Sequence, residues 1–500
     1  MMEAFTVLLV VIPLISAPLT ALIANRHVAW GLSLLVGAST FIIALMLLQD
    51  VITGRVIHYE LGGWKPPWGI EYVIDSLNAL VAVIVTAFAL LSVLFGRLSV
   101  EREVHDSQIH LFYTAFQLVL LGLLGMALTG DIFNLFVFLE ISSLSSYALI
   151  AMGHKRQALV ASFNYLIAGT LGATFFLLGI GFLYAASGTL NMADIASRFG
   201  QFDAMALVIT ALLFILIGLA LKAAAFPLHS WLPDAYTQAP SMVTVFLAST
   251  STKVAVYVLI RCLYHVFPQE YWSQLLLPSF LLLSGCLGML YGSYKAIQQD
   301  SIKRLLAYSS VAQLGYMVVG IGLNNETGLT ATVVHLFNHA ITKGALFMAA
   351  GMVFYRMHTT SLNQLRGAGK TMPWTTGAFV IGGLSLIGVP GTAGFISKWY
   401  LLQAALENNN YLVVASLLIA SIMAIMYVWK IIEALYFDGE EKLHVHQVPS
   451  GQDIVASMPL ATFCCYLLVA TCIYFGLYTD LPLEAAKTAA QSLFTGGPAR

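Results

Sequence analysis

Long apolar stretches, separated by short polar loops, run along almost the whole chain of 500 residues. An α-helix needs about 20 predominantly apolar residues to cross the hydrocarbon core of a bilayer. Runs of that length predict about fourteen transmembrane helices, at 4–24, 28–49, 75–96, 110–128, 131–152, 158–186, 203–225, 240–264, 273–293, 301–323, 328–355, 373–401, 410–436 and 453–479. The pattern therefore predicts an all-α polytopic membrane protein.

Two of the predicted helices, the seventh and the twelfth, are interrupted. Pro227 and Pro390 each remove a backbone donor, so the carbonyls of Ala223 and Leu386 lose their helical partners. Irregular backbone at membrane depth is tolerated only where it is buried in protein or lines a wet cavity. Broken helices 7 and 12 predict two five-helix repeats, helices 4–8 and 9–13, whose odd number inverts one repeat relative to the other. Two unrelated proline kinks are the alternative.

This division predicts four regions along the chain. They are residues 1–109 with three N-terminal helices and an outer-face insert at 50–74, residues 110–265 with the first repeat, residues 266–436 with the second repeat, and residues 437–500 with a cytoplasmic loop and the C-terminal helix 14. The insert is predicted to be irregular, and its dense tyrosine and tryptophan residues are typical of a membrane–water interface.

Composition and charge support a multi-pass protein. Hydrophobic residues make up 59% of the chain and charged residues 9%, with a mean hydropathy of +0.84, which excludes an ordinary soluble domain. The net charge of −1 offers no nucleic-acid footprint, and the five cysteines have no CxxC spacing and are predicted to be buried. Twelve basic residues fall in the loops after odd-numbered helices and five on the other side, which predicts that both termini lie outside. Arg261 is expected to snorkel to the outer interface.

Five lysines lie inside predicted helices: Lys222, Lys253, Lys343, Lys398 and Lys430. Each such charge costs roughly 2.5–3.5 kcal/mol on insertion scales, or about 12–18 kcal/mol for the five together. Ionisable groups at that depth are functional-site hypotheses by default. An ion pair of Lys430 with Glu433, three residues later, is predicted near the cytoplasmic interface.

Glu140 lies nine residues after Asp131, or about 14 Å along its helix and close to the bilayer midplane. A lone carboxylate at that depth must be protonated or paired, and Lys222 is the natural partner. The pair has two interpretations, a purely structural buried ion pair and a proton switch.

His335, His339 and Lys343 are spaced i, i+4 and i+8, so they are predicted to share one face of helix 11. Two histidines at this spacing can bind a metal, can be structural, or can pass protons between Lys253 and Lys398. The relay is the preferred hypothesis because histidine titrates near neutral pH. His229 is expected either to take up protons or to support its loop.

Several segments resemble one known family. They are KAAAFPLHSWLPDAYTQAPSMVTVFLASTSTKVAVYVLIR, SIKRLLAYSSVAQLGYM and HLFNHAITKGALF. These segments are similar to the antiporter-like membrane subunits of respiratory complex I, membrane-bound hydrogenases and Mrp-type multisubunit sodium/proton antiporters. GDIFNLFVFLEISSLSSYALIAMG and YELGGWKPPWGIEYVID look most like the Mrp D subunit. The chain lacks a long lateral helix and a large C-terminal extension, which disfavours the distal complex I subunit and the Mrp A subunit.

The resemblance implies a fourteen-helix fold with inverted repeats, and it implies roles for individual residues. Glu140 and Lys222 match the coupling pair, Lys253 and Lys398 match the central and terminal lysines of a proton path, and the helix-11 histidines match its bridging polar positions. It also implies a hetero-oligomeric complex with other membrane subunits and no cofactor in this chain, and no third metal ligand is evident near the two histidines.

Three functions follow as hypotheses. The first is the proton-translocating subunit of a monovalent cation (Na⁺)/H⁺ antiporter, a secondary transporter rather than an enzyme, in the plasma membrane of a prokaryote. The second is the proton-pumping subunit of a redox complex. The third is a passive structural subunit, which fits poorly with five intramembrane lysines. No sodium site can be identified from the residues.

Overall fold

The computed structural model describes residues 2–202, 204–437 and 457–494, and nearly all of them are helical. The helices are α1 Met2–Ile23, α2 Arg26–Val51, α3 Ser76–Glu103, α4 Ile109–Leu128, α5 Ile132–Ala151, α6 Arg156–Ser187, α7 Met192–Arg198, α8 Met205–Lys222, α9 Trp231–Gln238, α10 Ser241–Ser249, α11 Ser251–Arg261, α12 Gln269–Ser273, α13 Leu277–Ile297, α14 Ile302–Gly322, α15 Glu326–Met357, α16 Pro373–Ile387, α17 Ala393–Glu407, α18 Tyr411–Tyr436, α19 Pro459–Leu477 and α20 Asp480–Phe494. The loop predicted before the last transmembrane helix lies almost entirely outside the described residues.

The all-helical polytopic fold is confirmed. Across the described residues, twelve spans are long and apolar enough to cross a membrane, with α10 and α11 counted as one span. The two other predicted spans correspond to α15, which carries several polar residues, and to the broken pair α16 and α17. The total of fourteen crossings therefore stays a prediction.

A recurring backbone feature supports the two predicted repeats. Asp131, just before α5, pairs antiparallel with Asn191, and Ser301, just before α14, pairs in the same way with Ser361. Each pairing spans 60 residues (131 to 191 and 301 to 361), and the second lies 170 residues after the first. Two long helices stand between the paired residues in each case, so one local arrangement occurs twice along the chain.

Both predicted helix breaks are present, and a third was not predicted. Residues 223–230 separate α8 from α9, and residues 388–392 separate α16 from α17. The eighth predicted helix is divided at Thr250, whose φ of −124° and ψ of −59° are not helical. The Thr250 hydroxyl donates to the Phe246 carbonyl at 2.7 Å. Hydroxyl groups that bond back in this way bend helices.

The insert at 50–74 contains regular structure, so its predicted irregularity is wrong. Strand β1, Ile57–Glu60, pairs antiparallel with strand β2, Glu71–Ile74. Ile57 and Ile74 face each other across the ladder and are buried. Their burial anchors the hairpin to the bundle.

Arg261 does not snorkel as predicted. Its guanidinium donates to Asp75 at 2.5 Å, and the residue is buried. Asp75 is the N-cap residue of α3. Its carboxylate pairs with the guanidinium inside the protein, so the arginine does not extend to solvent.

The cysteines follow their prediction, since all five are buried and free.

The terminal helix α20 was not predicted. Its alanines at 485, 486, 489 and 490 are buried, and the helix packs on α15 and α3. Small residues carry too little hydropathy for the sequence to predict a transmembrane span here.

At the centre of the molecule, the span containing α10 and α11 is fully buried and α14 nearly so.

Candidate functional site

Lys222 is the last residue of α8 and lies buried at the first helix break. Its Nζ donates to the Ser143 hydroxyl at 2.5 Å and to the Tyr165 hydroxyl at 3.3 Å. The indole of Trp231, the first residue of α9, stacks on the Tyr165 ring at 3.8 Å and donates to the Leu221 carbonyl at 2.9 Å. The broken helix therefore holds the lysine against two hydroxyl groups, and Trp231 satisfies one backbone carbonyl beside the break.

Glu140 lies half-buried on α5, one turn before Ser143. Within the described parts of the chain, no ion pair of 4.0 Å or less joins its carboxylate to Lys222. The two charges are near enough to interact electrostatically. In this conformation they are neighbours without direct contact, and their role as a coupling pair stays a prediction.

Tyr165 lies between Lys222 and the start of α11, the helix that carries Lys253. Its hydroxyl also interacts with the Ser251 side chain, two residues before Lys253 in α11. The Lys253 ammonium is almost fully buried and donates to the Ala248 carbonyl, across the break at Thr250. A tyrosine in an apolar helix carries no sequence signal for such a contact, so sequence reasoning missed Tyr165.

Lys343 is held in a similar way, by α14. From α15 it donates to the Leu306 carbonyl at 2.7 Å and to the Ser309 hydroxyl at 2.5 Å, both on α14. Lys222 and Lys343 thus both bind a serine whose own hydroxyl donates to a leucine carbonyl in the preceding turn. Neutral oxygens, and not carboxylates, receive both ammonium groups.

The two histidines of α15 share one face, as their spacing predicts. The rings of His335 and His339 stack with centroids 5.9 Å apart and planes 5° apart, and His335 Nδ1 lies 2.8 Å from the Ser397 hydroxyl. His339 is within electrostatic range of Lys253 and Lys398. The structure therefore brings both histidines within electrostatic range of these two lysines, and their bridging role stays a prediction.

A small cavity lies beside the histidines, between α14, α15, α16 and α17; about 10 Å³ of it is open to the centres of water molecules, which is room for about one water. Among the described residues, neither ring nitrogen of His339 has a hydrogen-bond partner, and the same holds for His335 Nε2, Asn338 Oδ1 and Gln313 Nε2. Buried polar groups in proteins are almost always hydrogen-bonded, to ordered water where the protein supplies no partner. The cavity is therefore polar enough to hold water.

Lys398 forms the far wall of this cavity, at the second helix break. Its Nζ donates to the Leu386 carbonyl at 3.1 Å and to the Ile387 carbonyl at 2.9 Å. Release of the Leu386 carbonyl by the break was predicted and is confirmed. The ammonium also lies 4.7 Å from the centre of the Tyr316 ring, which contributes a cation–π contact.

Two other lysines differ from their predictions. Lys430 contacts Asp300 at 3.1 Å and the carbonyls of Ile297, at the end of α13, and Gln299, so the predicted ion pair with Glu433 is wrong. Asp300 comes within reach only through tertiary packing, while Glu433 stays exposed. Lys303, one of the twelve basic residues assigned to the loops after odd-numbered helices, is buried and donates to the Ser241 hydroxyl at 3.1 Å.

His229 lies buried in the first break, with its ring 5.4 Å from that of Phe226 and 5.1 Å from that of Tyr291. This position is compatible with both of its predicted roles. Across the described residues, no group of three or more His, Cys, Asp or Glu side chains is placed to hold a metal ion.

Buried lysines beside interrupted helices in a polytopic bundle are typical of membrane proteins that move ions. Comparison with known proteins agrees with this class. The family described as "NADH:quinone oxidoreductase/Mrp antiporter, TM" matches residues 129–426. The chain belongs to this family.

Individual relatives come from both branches of the family. The chain is 42% identical over 438 residues to "NADH-quinone oxidoreductase subunit N" of Desulforudis audaxviator, covering 87% of this chain and 86% of the relative. It is 31% identical over 452 residues to the D subunit of an Na(+)/H(+) antiporter from Alkalihalophilus pseudofirmus, covering 88% of each. A chain in the solved structure of the Mrp complex from Dietzia sp. superimposes with a TM-score of 0.89 at 26% identity, covering 99% of this chain and 97% of that one.

Proposed function

We propose that this chain carries protons along the buried polar axis, from Glu140 and Lys222 through Lys253 and the α15 histidines to Lys398. The observation that carries the proposal is the cavity beside His339, where buried polar atoms without protein partners surround space for water. Water in that space would complete a hydrogen-bonded chain between the central lysines and Lys398. A passive structural subunit has no need of such unpartnered groups.

The contacts of the lysines suit transient protonation. Within the described residues, Lys222, Lys253, Lys343 and Lys398 all donate to hydroxyl or carbonyl oxygens, and none forms a salt bridge. An ammonium locked to a carboxylate holds its proton, because the opposite charge favours the charged form. A neutral oxygen accepts a hydrogen bond from either form of the amine, so each lysine keeps its position when it gains or loses a proton.

The transport subunit of a multisubunit cation/proton antiporter is the first candidate for the whole complex. The antiporter relative and the full-length superposition on a chain of the Mrp complex favour it. Protons moving inward along the axis would then drive sodium outward, and the sodium ion would be bound by residues outside the polar chain described above or by another subunit.

A redox-driven pump is the second candidate. The relative named as a subunit of NADH-quinone oxidoreductase shares 42% identity with this chain, more than the antiporter relative does at 31%. The polar axis suits both functions, because each needs the same lysine relay. The difference lies in the partner that drives the relay.

Purification of the native complex through a tag on this chain separates the two candidates. A colourless complex of membrane subunits, with sodium-dependent dissipation of a pH gradient in vesicles, is expected for the antiporter. Flavin or iron–sulfur absorption in the purified complex would instead identify the redox pump. Proton leak equal to that of empty vesicles under both sodium and reductant would contradict the proposed proton path itself.

A further inference from the structure

A second cavity lies among the N-terminal helices. Its lining residues are distant in sequence from the lysines of the proposed proton path. It is open to the protein surface and is lined by exposed Arg26, Arg97 and Glu101 and by half-buried Trp30, among others. Here α2 begins at Arg26, α3 ends at Glu103 and α4 begins at Ile109. Because transmembrane helices begin and end near the membrane surface, the cavity lies at the level of the lipid headgroups, on the face predicted to be cytoplasmic.

Within the described residues, Arg97 has no hydrogen bond or ion pair to the protein, and Arg26 uses only its Nε, toward His27, and one terminal nitrogen, toward Asp106. The guanidinium of Arg97 lies over the Trp30 ring at 4.5 Å, and the Trp30 indole is fixed by a hydrogen bond to the Val93 carbonyl at 3.1 Å. Arg26 meets Asp106 at 3.4 Å, with side chains 45% and 76% exposed. Exposed pairs of this kind contribute little, so a phosphate can take the place of Asp106. Arginine suits this task because its planar fork matches phosphate oxygens.

Glu101 lines the same cavity and carries the opposite charge. Its carboxylate repels a bare anion but accepts a hydrogen bond from an N–H or O–H donor. A ligand with a phosphate at one point and a hydrogen-bond donor a short distance away satisfies both signs of charge. Large apolar side chains near the lining residues in sequence are exposed, namely Leu22, Val28 and Leu111.

We propose that this cavity binds the headgroup of a phospholipid, with the phosphate held by Arg26 and Arg97 and a headgroup donor held by Glu101. The acyl chains then cover the exposed apolar residues of α1, α2 and α4. Phosphatidylethanolamine and phosphatidylglycerol both carry the required donor, as an ammonium or as hydroxyl groups. Phosphatidylcholine has the same phosphate but no donor, so it is the matched control lipid.

Native mass spectrometry of the intact complex, exchanged into detergent with one lipid at a time, tests the site. Retention of phosphatidylethanolamine or phosphatidylglycerol in preference to phosphatidylcholine is expected. Arg97→Gln should weaken that retention about tenfold or more, as the loss of a charge-assisted hydrogen bond gives. Arg102→Gln is the control, because Arg102 is on the same helix but lies over the Tyr355 ring at 3.7 Å, outside the cavity.

Two further arms make the test specific. Glu101→Gln should reduce the discrimination against phosphatidylcholine, and Arg26→Gln should repeat the loss seen with Arg97→Gln. Equal retention of all three lipids by the wild type and the Arg97 variant would overturn the proposal. Binding of inorganic phosphate alone, with no lipid retained, would also overturn it, because the ligand would then be a free anion.

Discussion

Lys398→Arg separates a structural role of this lysine from proton transfer. The ammonium donates to the two carbonyls released at the second break, at 3.1 and 2.9 Å. A guanidinium supplies the same positive charge and more donors, so both carbonyls can stay satisfied. The Tyr316 ring, 4.7 Å from the ammonium, also accepts a guanidinium on its face. The charge and the hydrogen bonds are thus conserved, and only the ability to release the proton changes.

The expected loss is large. Arginine releases its proton roughly two to three pKa units less readily than lysine, which lowers the deprotonated fraction roughly 100- to 1000-fold. If every transported proton passes through Lys398, transport falls by a similar factor. A residue that only fills the break would lose little activity, because its contacts are kept.

The assay is proton movement in proteoliposomes of the purified complex, followed with an internal pH-sensitive dye. Lys430→Arg is the matched control, since Lys430 also donates to backbone carbonyls but lies outside the proposed path. Co-purification of the partner subunits checks assembly. Transport by the Lys398 variant at half of the wild-type rate or more would refute the assignment of Lys398 to the relay.

Three further predictions test other parts of the account. Glu140→Ala and Lys222→Ala should each abolish transport while the complex still assembles; sodium- or reductant-driven pH changes at the wild-type rate would refute the coupling pair. Tyr165→Phe removes the hydroxyl beside Lys222 and should lower the rate about tenfold, as loss of one hydrogen-bonded contact gives, with normal subunit recovery; an unchanged rate would reduce Tyr165 to packing. The hydrogen bond between His58 and Glu71, 3.0 Å long, raises the pKa of His58 above 6.5 despite burial. Burial alone would raise the pKa of Glu71, but hydrogen bonds lower it below 4.5. The stability that His58 contributes to the hairpin is present below pH 6.5 and is lost as pH rises through the pKa of His58 in the folded protein. The stability that Glu71 contributes is lost as pH falls through the pKa of Glu71 in the folded protein. Protection of the hairpin amides from hydrogen exchange, measured relative to their intrinsic exchange rate at each pH, should therefore be greatest between about pH 5 and 6.5, and His58→Ala should remove this maximum.

The sequence predicted the breaks that glycine and proline cause, because those residues restrict the backbone locally. Pro227 and Pro390 have the same effect in any surroundings. The break at Thr250 depends on a hydroxyl that bonds to Phe246 instead of water, and its neighbours in sequence resemble those of an unbroken helix. The helix α20 was not predicted from the sequence, because its buried alanines have too little hydropathy to indicate a transmembrane span.

Candidate site residues were predictable where a charge stands in an apolar run. Lys222, Lys253, Lys343 and Lys398 all proved to be buried or half-buried within the bundle. Their partners were not predictable, because they come from helices far apart in the chain. Tyr165 illustrates this limit, since only packing of α6 against α8 and α9 places its hydroxyl beside a lysine.

The histidine spacing gave the shared face but not the cavity next to it. Four helices enclose that space, and only their packing shows that both nitrogens of His339 face no protein partner among the described residues. The central claim, that protons cross this cavity, therefore depends on the folded structure more than on any motif.

Proton flux across a pH series, measured for the wild-type complex and for His339→Ala in the same proteoliposomes, tests that claim most directly. The proposed path predicts that the variant assembles normally and moves protons more slowly across the series, because a group that bridges Lys253 and Lys398 is missing. Wild-type flux at every pH would contradict it and leave His339 as a packing residue.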